Sequence, residues 1–125
     1  MTQKLSWSQF NEFPHQTFHW RGIDGTEILT HFPPENTYNS ELDTQFLLPA
    51  QTGFKEKDKL DEFISLFGVG DGGGGPKPEN IELGTRMSNL ENSPRVSFDT
   101  AKNFFHRLEN EKHCLDTWVG ELYLE

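Results

Sequence analysis

The sequence contains a single cysteine, few basic residues and no long apolar run. Cys114 alone cannot form a disulfide within the chain, which agrees with a reducing compartment and leads us to expect a cytoplasmic protein. The 11 Lys and Arg residues are outnumbered by 20 Asp and Glu residues, and the resulting net charge of −9 disfavours nucleic-acid and anionic-membrane partners. No apolar stretch approaches the roughly 20 residues that a transmembrane helix needs.

Aromatic residues are abundant for so polar a chain. They make up 13% of the 125 residues, with 11 Phe and 3 Trp, although hydrophobic residues in total reach only 33%. This length suffices for one domain with a core but not for two. We therefore expect one folded domain, packed largely by aromatic side chains, rather than a disordered segment.

Strand and helix patterns alternate along the chain. Five strands are predicted. Two short runs rich in Thr, Ile and aromatic residues are Gln16–Trp20 and Glu27–Phe32, a compact apolar run is Phe63–Phe67, and two further strand-like segments are Arg95–Phe98 and Leu115–Leu124. The turn at 22–25 joins the first two, and residues 35–50 are predicted to be irregular. Three helices are predicted, at Phe54–Glu62, at Pro78–Leu90 and, capped by Asp99, at Thr100–Glu111. The alternation indicates an α/β fold, a largely parallel sheet or a segment of a barrel.

Four consecutive glycines lie in the loop Gly68–Pro76, directly after the predicted strand Phe63–Phe67. Glycines allow a backbone to approach a ligand closely, although a flexible surface turn is the alternative. Gly70, Gly72 and Gly75 also satisfy the dinucleotide fingerprint, which leaves a dinucleotide-binding module using residues 70–75 as one functional alternative. A run of four glycines matches that fingerprint almost automatically, and Pro76 removes an amide from the place where a pyrophosphate would bind.

Asp71 stands at the start of the glycine run, just beyond a predicted strand. Catalytic groups of α/β folds project from the carboxyl ends of strands, and a carboxyl group shielded by aromatic side chains can serve as a proton donor. An ordinary turn aspartate that accepts backbone amides is an equal alternative.

Trp7, Trp20 and Trp118 are candidates for stacking against a sugar ring, although buried tryptophans are more often core residues. Stacking on Trp7 or Trp20 without catalysis would describe a non-catalytic carbohydrate-binding domain, which is a second functional alternative. The five histidines show no spacing typical of a zinc site.

Blocks spread over nearly the whole chain resemble glycoside hydrolase family 38, the α-mannosidases, and most closely their bacterial and cytosolic type. They follow the family's order, and they are Thr2–Trp7, Phe13–His15, Thr17–Gly25, Leu29–Pro34, Thr37–Asn39 and Gly70–Pro76. Trp118–Glu125 resembles the family strand that precedes a His-Arg-Gly-Thr stretch, which the chain lacks. The resemblance implies that residues 1–125 are an internal part, incomplete at both ends, of one barrel-like α-mannosidase catalytic domain.

The same resemblance implies a zinc-dependent, retaining hydrolase of terminal α-linked mannose on oligosaccharides. The family's His-x-Asp zinc pair does not occur in the chain, and its nucleophile motif is expected before Met1. We therefore expect zinc to be bound by residues outside the chain, and the chain alone to be inactive. The expected partners are an α-mannoside oligosaccharide and the rest of the parent catalytic domain, and a homo-oligomer is left open.

The resemblance also implies roles for individual residues. Asp71 stands where the family places its acid/base aspartate, in a glycine-rich version of that loop. Tyr38 and Asn39 fall near positions that contact mannose, where related enzymes often have Asp in place of Asn39. The remaining implied substrate-binding residues belong to the family pattern around the site or flank Asp71, and they are Trp20, Asp24, Gly72 and Gly73.

Overall fold

The computed structural model describes residues 10–122, and a small mixed sheet organises them. The sheet contains β1 (Thr17–Arg21), β2 (Glu27–His31) and β3 (Thr117–Val119), in the spatial order β2-β1-β3. β1 and β2 form an antiparallel hairpin, whereas β1 and β3 run parallel, with Trp20 opposite Trp118. The predicted hairpin is confirmed, but the prediction of mostly parallel strands is wrong because one of the two pairings is antiparallel. The described strands form an open sheet, so a barrel stays a prediction about the longer protein.

Three helices lie between β2 and β3 in chain order. They are α1 (Thr44–Gly53), α2 (Pro78–Arg86) and α3 (Ala101–Glu111), and a short 3-10 turn extends each of the last two, at Met87–Asn89 and Lys112–Cys114. α1 begins where the carboxylate of Asp43 accepts the amides of Gln45 and Phe46, and α3 begins where the hydroxyl of Thr100 accepts the amide of Asn103. The helix predictions at 78–90 and 100–111 are confirmed, with Thr100 rather than Asp99 as the N-cap.

Four other predicted elements are wrong. The helix predicted at Phe54–Glu62 is a series of turns. α1 instead begins inside the segment predicted to be irregular, residues 35–50, and ends at Gly53. Phe63–Phe67 and Arg95–Phe98 are not strands. Among the described residues neither segment pairs with a strand. The Leu66 carbonyl of the first segment accepts the amide of Ser40, and the Val96 amide of the second donates to the carbonyl of Met87. A strand requires a paired neighbour, which β-rich composition alone does not supply.

Two aromatic clusters form the core, one on each face of β1, because successive strand residues point to opposite faces. Phe18, which is fully buried, packs with Phe13, Phe32 and Leu122. The neighbouring Thr17 belongs to the other face, where the second cluster consists of Phe54, Leu60, Phe104, Leu108 and Leu115. The cores confirm the expected packing by aromatic side chains. Within residues 10–122 no helix is long and apolar enough to cross a membrane.

Candidate functional site

The glycine loop is a tight, closed turn. Val69 and Gly74 form an isolated antiparallel bridge, in which the Gly74 amide donates to the Val69 carbonyl at 3.1 Å. Inside this bridge the Gly72 amide donates to the Gly70 carbonyl at 2.7 Å. Asp71 lies at the exposed tip of the turn with a φ of 57°, a left-handed conformation that Asp and Asn tolerate better than most residues. The loop therefore presents a carboxyl group at its tip, and the hydrogen bond between Val69 and Gly74 closes the loop behind it.

The structure brings three of the predicted site residues together. The Tyr38 hydroxyl donates a hydrogen bond to Oδ1 of Asp71 over 2.6 Å. The Gly70 amide donates to Oδ1 of Asn39 over 2.7 Å. The segment that carries Tyr38 and Asn39 thus contacts both the tip and the base of the loop, although about 30 residues separate the two in sequence.

The contact between these segments depends on the absence of a side chain at Gly70. A Cβ at this position would lie 1.9 Å from Cε2 of Tyr38 and 2.8 Å from Oδ1 of Asn39. Neither distance is compatible with non-bonded atoms. Gly70 is therefore required here for close approach of the Tyr38 ring.

Ser40 anchors the segment that carries Tyr38. Its side chain is buried, its amide donates to the Leu66 carbonyl at 2.9 Å, and its hydroxyl donates to Oε1 of Glu35 at 2.7 Å. The same hydroxyl accepts the amide of Leu42. Because Leu66 lies shortly before the glycine loop, Ser40 fixes the position of Tyr38 relative to Asp71.

Two ionisable groups of this segment have shifted pKa values. The hydrogen bond to Asp71 raises the pKa of Tyr38, and partial burial and the negative charge of Asp71 act in the same direction. Burial also raises the pKa of Glu35, and its hydrogen bond from Ser40 opposes that shift. Sequence reasoning did not single out Glu35, and the only available signal was its position three residues before Tyr38.

Trp20 and Asp24, also predicted site residues, take their partners within and beside the sheet. The Trp20 indole donates to the Gly120 carbonyl at 2.7 Å, and its ring packs on the cluster around Phe18. The Asp24 carboxylate accepts the amide and the hydroxyl of Thr26 in the β1–β2 turn, bonds that lower the pKa of Asp24. Within residues 10–122 no hydrogen bond or ring contact joins either residue to Asp71.

The other predicted residues lie in three different places. Gly72 and Gly73 are exposed beside Asp71 at the loop tip, and Gly73 has a φ of 66°. Trp118 packs edge-on against Phe13 with ring centroids 4.9 Å apart, in the manner of a core residue. Trp7 and the block Thr2–Trp7 lie outside the described residues.

The described part of the chain does not fit a zinc ion. No group of three or more His, Cys, Asp and Glu side chains gathers there with a geometry that could bind a metal. His31, the buried histidine of β2, has both ring nitrogens engaged, one by the hydroxyl of Thr17 at 2.8 Å and the other by the amide of Ile64 at 3.2 Å. No zinc role is therefore assigned to any residue between 10 and 122.

A groove of about 670 Å³ lies elsewhere, between the segments 60–67 and 93–101. Its walls include aromatic side chains, and the ion pair of Arg107 with Glu62 and Asp99 lies along it. Neither Tyr38 nor Asp71 lines this groove. The volume of this groove therefore does not identify it as the catalytic site, and the candidate site remains the exposed Tyr38–Asp71 pair.

Comparison with known proteins places this sequence in a family. The model of the glycosyl hydrolases family 38 N-terminal domain matches residues 1–121. The chain belongs to glycosyl hydrolase family 38. The resemblance recognised in the sequence is thus confirmed at the level of the family, while its bacterial and cytosolic type and the internal position of the chain stay predictions.

The curated relatives of this family-38 chain are named α-mannosidases. It is 46% identical over 125 residues to alpha-mannosidase G of Dictyostelium discoideum and 42% identical over 125 residues to alpha-mannosidase 2C1 of Homo sapiens. It is 38% identical over 134 residues to the alpha-mannosidase of Saccharomyces cerevisiae. Each alignment covers the whole chain but only 12% of the relative.

In the described part of the chain, the glycine loop lacks the adjoining strand and helix that a dinucleotide-binding module requires around it. Its fingerprint requires a strand before the glycines and a helix that opens directly after them. Phe63–Phe67 is not a strand, and α2 begins at Pro78, three residues beyond Gly75. The amide of its N-cap, Lys77, is already bonded to the side chain of Asn80.

Proposed function

We propose that the longer protein is a zinc-dependent retaining α-mannosidase that removes terminal α-linked mannose from oligosaccharides, with Asp71 as its acid/base residue. One observation carries the assignment of Asp71: its carboxyl group is exposed at the tip of a closed loop and is bonded to Tyr38. Tyr38 and Asn39 are the residues that the family resemblance puts near positions that contact mannose. The α-mannosidase names of the relatives support the substrate class.

Asp71 acts twice in this proposal. Its protonated carboxyl donates a proton to the glycosidic oxygen as the bond to the leaving sugar breaks, and its carboxylate later removes a proton from the attacking water. The second carboxylate of a retaining pair and the zinc ligands are assigned to residues outside this chain. The isolated chain is accordingly proposed to be inactive, as an incomplete part of one catalytic domain.

The remaining site residues are proposed to position the sugar. The exposed backbone at Gly72 and Gly73 can approach hydroxyl groups near Asp71, and Tyr38 and Asn39 stand beside it. Trp20 and Asp24 are proposed to contribute from the sheet region. A chain of net charge −9 suits a neutral oligosaccharide better than nucleic acid or an anionic membrane, and we place the protein in the cytoplasm.

The experiment compares Asp71→Asn with Asp58→Asn in the full-length protein, using α-linked mannose disaccharides as substrates. Asn tolerates the left-handed backbone of Asp71, and the control replaces an exposed aspartate of the turns after α1. We expect Asp71→Asn to lower kcat/KM by roughly 10²- to 10⁴-fold, the usual contribution of general acid–base catalysis, and Asp58→Asn to leave it unchanged. Equal activity of the two variants would overturn the assignment. Mannoside binding without hydrolysis by the unmodified protein would favour the carbohydrate-binding alternative.

A further inference from the structure

The bond between Tyr38 and Asp71 has a defined direction. A carboxylate oxygen can only accept, so the phenol hydroxyl donates, and the separation of 2.6 Å is typical of a charge-assisted O–H···O bond. The negative charge of Asp71 favours retention of this phenol proton, since the bond raises the pKa of Tyr38. Tyr38 is therefore a fixed donor toward Oδ1 and not a source of protons for the substrate.

Several independent features maintain this bond. The missing side chain of Gly70 leaves space for the Tyr38 ring, and the Asn39 side chain holds the amide of the same glycine. Ser40 ties the segment to Leu66 just before the loop. Contacts of this kind fix the relative position of two side chains 33 residues apart, which is what a catalytic carboxyl needs from its support.

We propose that Tyr38 is a positioning residue that acts through Asp71, orienting its carboxyl group and selecting the oxygen that exchanges the proton. This inference rests on the proposed function. Because Tyr38 occupies Oδ1, Oδ2 is the oxygen that carries the acidic proton. That proton passes from Oδ2 to the glycosidic oxygen as the C–O bond breaks, and Oδ2 takes one proton from water in the second step. Tyr38 keeps its own proton throughout.

A split between kcat and KM distinguishes this role from a simple sugar contact. Tyr38→Phe in the full-length protein keeps the ring beside Gly70 and removes the hydroxyl that donates to Asp71. We expect kcat on α-linked mannose disaccharides to fall by roughly tenfold with KM unchanged, because a misoriented carboxyl group weakens the transition state and not substrate binding. A raised KM with an unchanged kcat would overturn the inference and leave Tyr38 as a substrate contact.

A double-mutant cycle on α-linked mannose disaccharides, whose cleavage is expected to depend on Asp71, provides the second measurement. If Tyr38 acts through Asp71, Tyr38→Phe should lower the rate less than twofold in the Asp71→Asn background. An equal loss in both backgrounds would contradict the inference. The two proposals fail differently. If Asp71→Asn keeps full activity on disaccharides, the proposed function fails. If Asp71→Asn loses that activity while Tyr38→Phe leaves kcat unchanged, only the positioning role fails.

Discussion

Gly70 and Tyr38 are packed so closely that a Cβ on the glycine would lie 1.9 Å from Cε2 of the tyrosine ring. The ring lies against the loop backbone and its hydroxyl donates to Asp71, so this hydrogen bond depends on the space that Gly70 leaves. The loop's function, on this account, depends on one missing side chain and not on general flexibility.

Gly70→Ala should therefore reproduce the loss of kcat expected for Tyr38→Phe. The added methyl group displaces the ring, and overpacking of this kind typically costs about 1–3 kcal/mol of stability. We expect kcat on mannose disaccharides to fall about as far as it does in Tyr38→Phe. The matched control is Gly75→Ala, since a Cβ at Gly75 would meet no atom within 4 Å. Identical kcat values for the two alanine variants would show that the close approach has no catalytic consequence.

His31 predicts a pH-dependent stability below neutrality. Burial lowers the pKa of His31 from 6.5 to about 3. Between these values the unfolded chain binds a proton that the folded chain does not, so the free energy of unfolding falls by about 1.4 kcal/mol per pH unit as the pH drops below 6.5. Urea denaturation of the longer protein at pH 5 and pH 6.5 should reveal a difference of about 2 kcal/mol from this residue.

His31→Gln tests the source of that loss, because the Gln amide oxygen can still accept the Ile64 amide but cannot titrate. The variant should show a smaller fall in unfolding free energy between pH 6.5 and pH 5 than the unmodified protein. The exposed His106 provides the control, and His106→Gln should retain the full fall. The same pH dependence in both variants would exclude His31 as its cause.

Glu56 supports the start of β1 from a buried position. Its carboxylate oxygens accept the amide of Gln16 at 3.1 and 3.2 Å and the amide of Thr17 at 2.9 Å. Glu56→Gln would place an NH₂ group against backbone donors and remove the charge, so we expect a loss of about 1.5–3 kcal/mol in unfolding free energy. Glu91→Gln, on the exposed surface, should change it by less than about 0.5 kcal/mol. Equal urea midpoints would contradict a structural role for Glu56.

Local sequence patterns predicted the elements whose signals are local. The hairpin follows from two β-rich runs around an Asp-Gly turn, and α2 and α3 follow from a proline in the first turn and an apolar stripe. α1 was missed because Pro49 lies inside it and its N-cap Asp43 was not recognised. Phe63–Phe67 was misassigned because an apolar run does not reveal whether a partner strand is present.

The site was predictable only in part. The glycine run identified the loop, and family resemblance identified Tyr38 and Asn39. The hydrogen bond from Tyr38 to Asp71 could not be predicted, since it depends on the Ser40–Leu66 anchor between segments distant in sequence. Trp20 and Asp24 carry the family pattern, yet their hydrogen bonds lie in the sheet region.

The role of Asp71 as proton donor is tested most directly by how the loss of activity in Asp71→Asn depends on the leaving group of the substrate. The full-length variant and the unmodified protein are compared on α-mannosides with sugar or alkyl leaving groups and on mannosides with activated aryl groups, which need little protonation. We predict a loss of roughly 10²- to 10⁴-fold for the poor leaving groups and a much smaller loss for release of the aryl group. An equal loss on both classes would contradict the role of Asp71 as the proton donor.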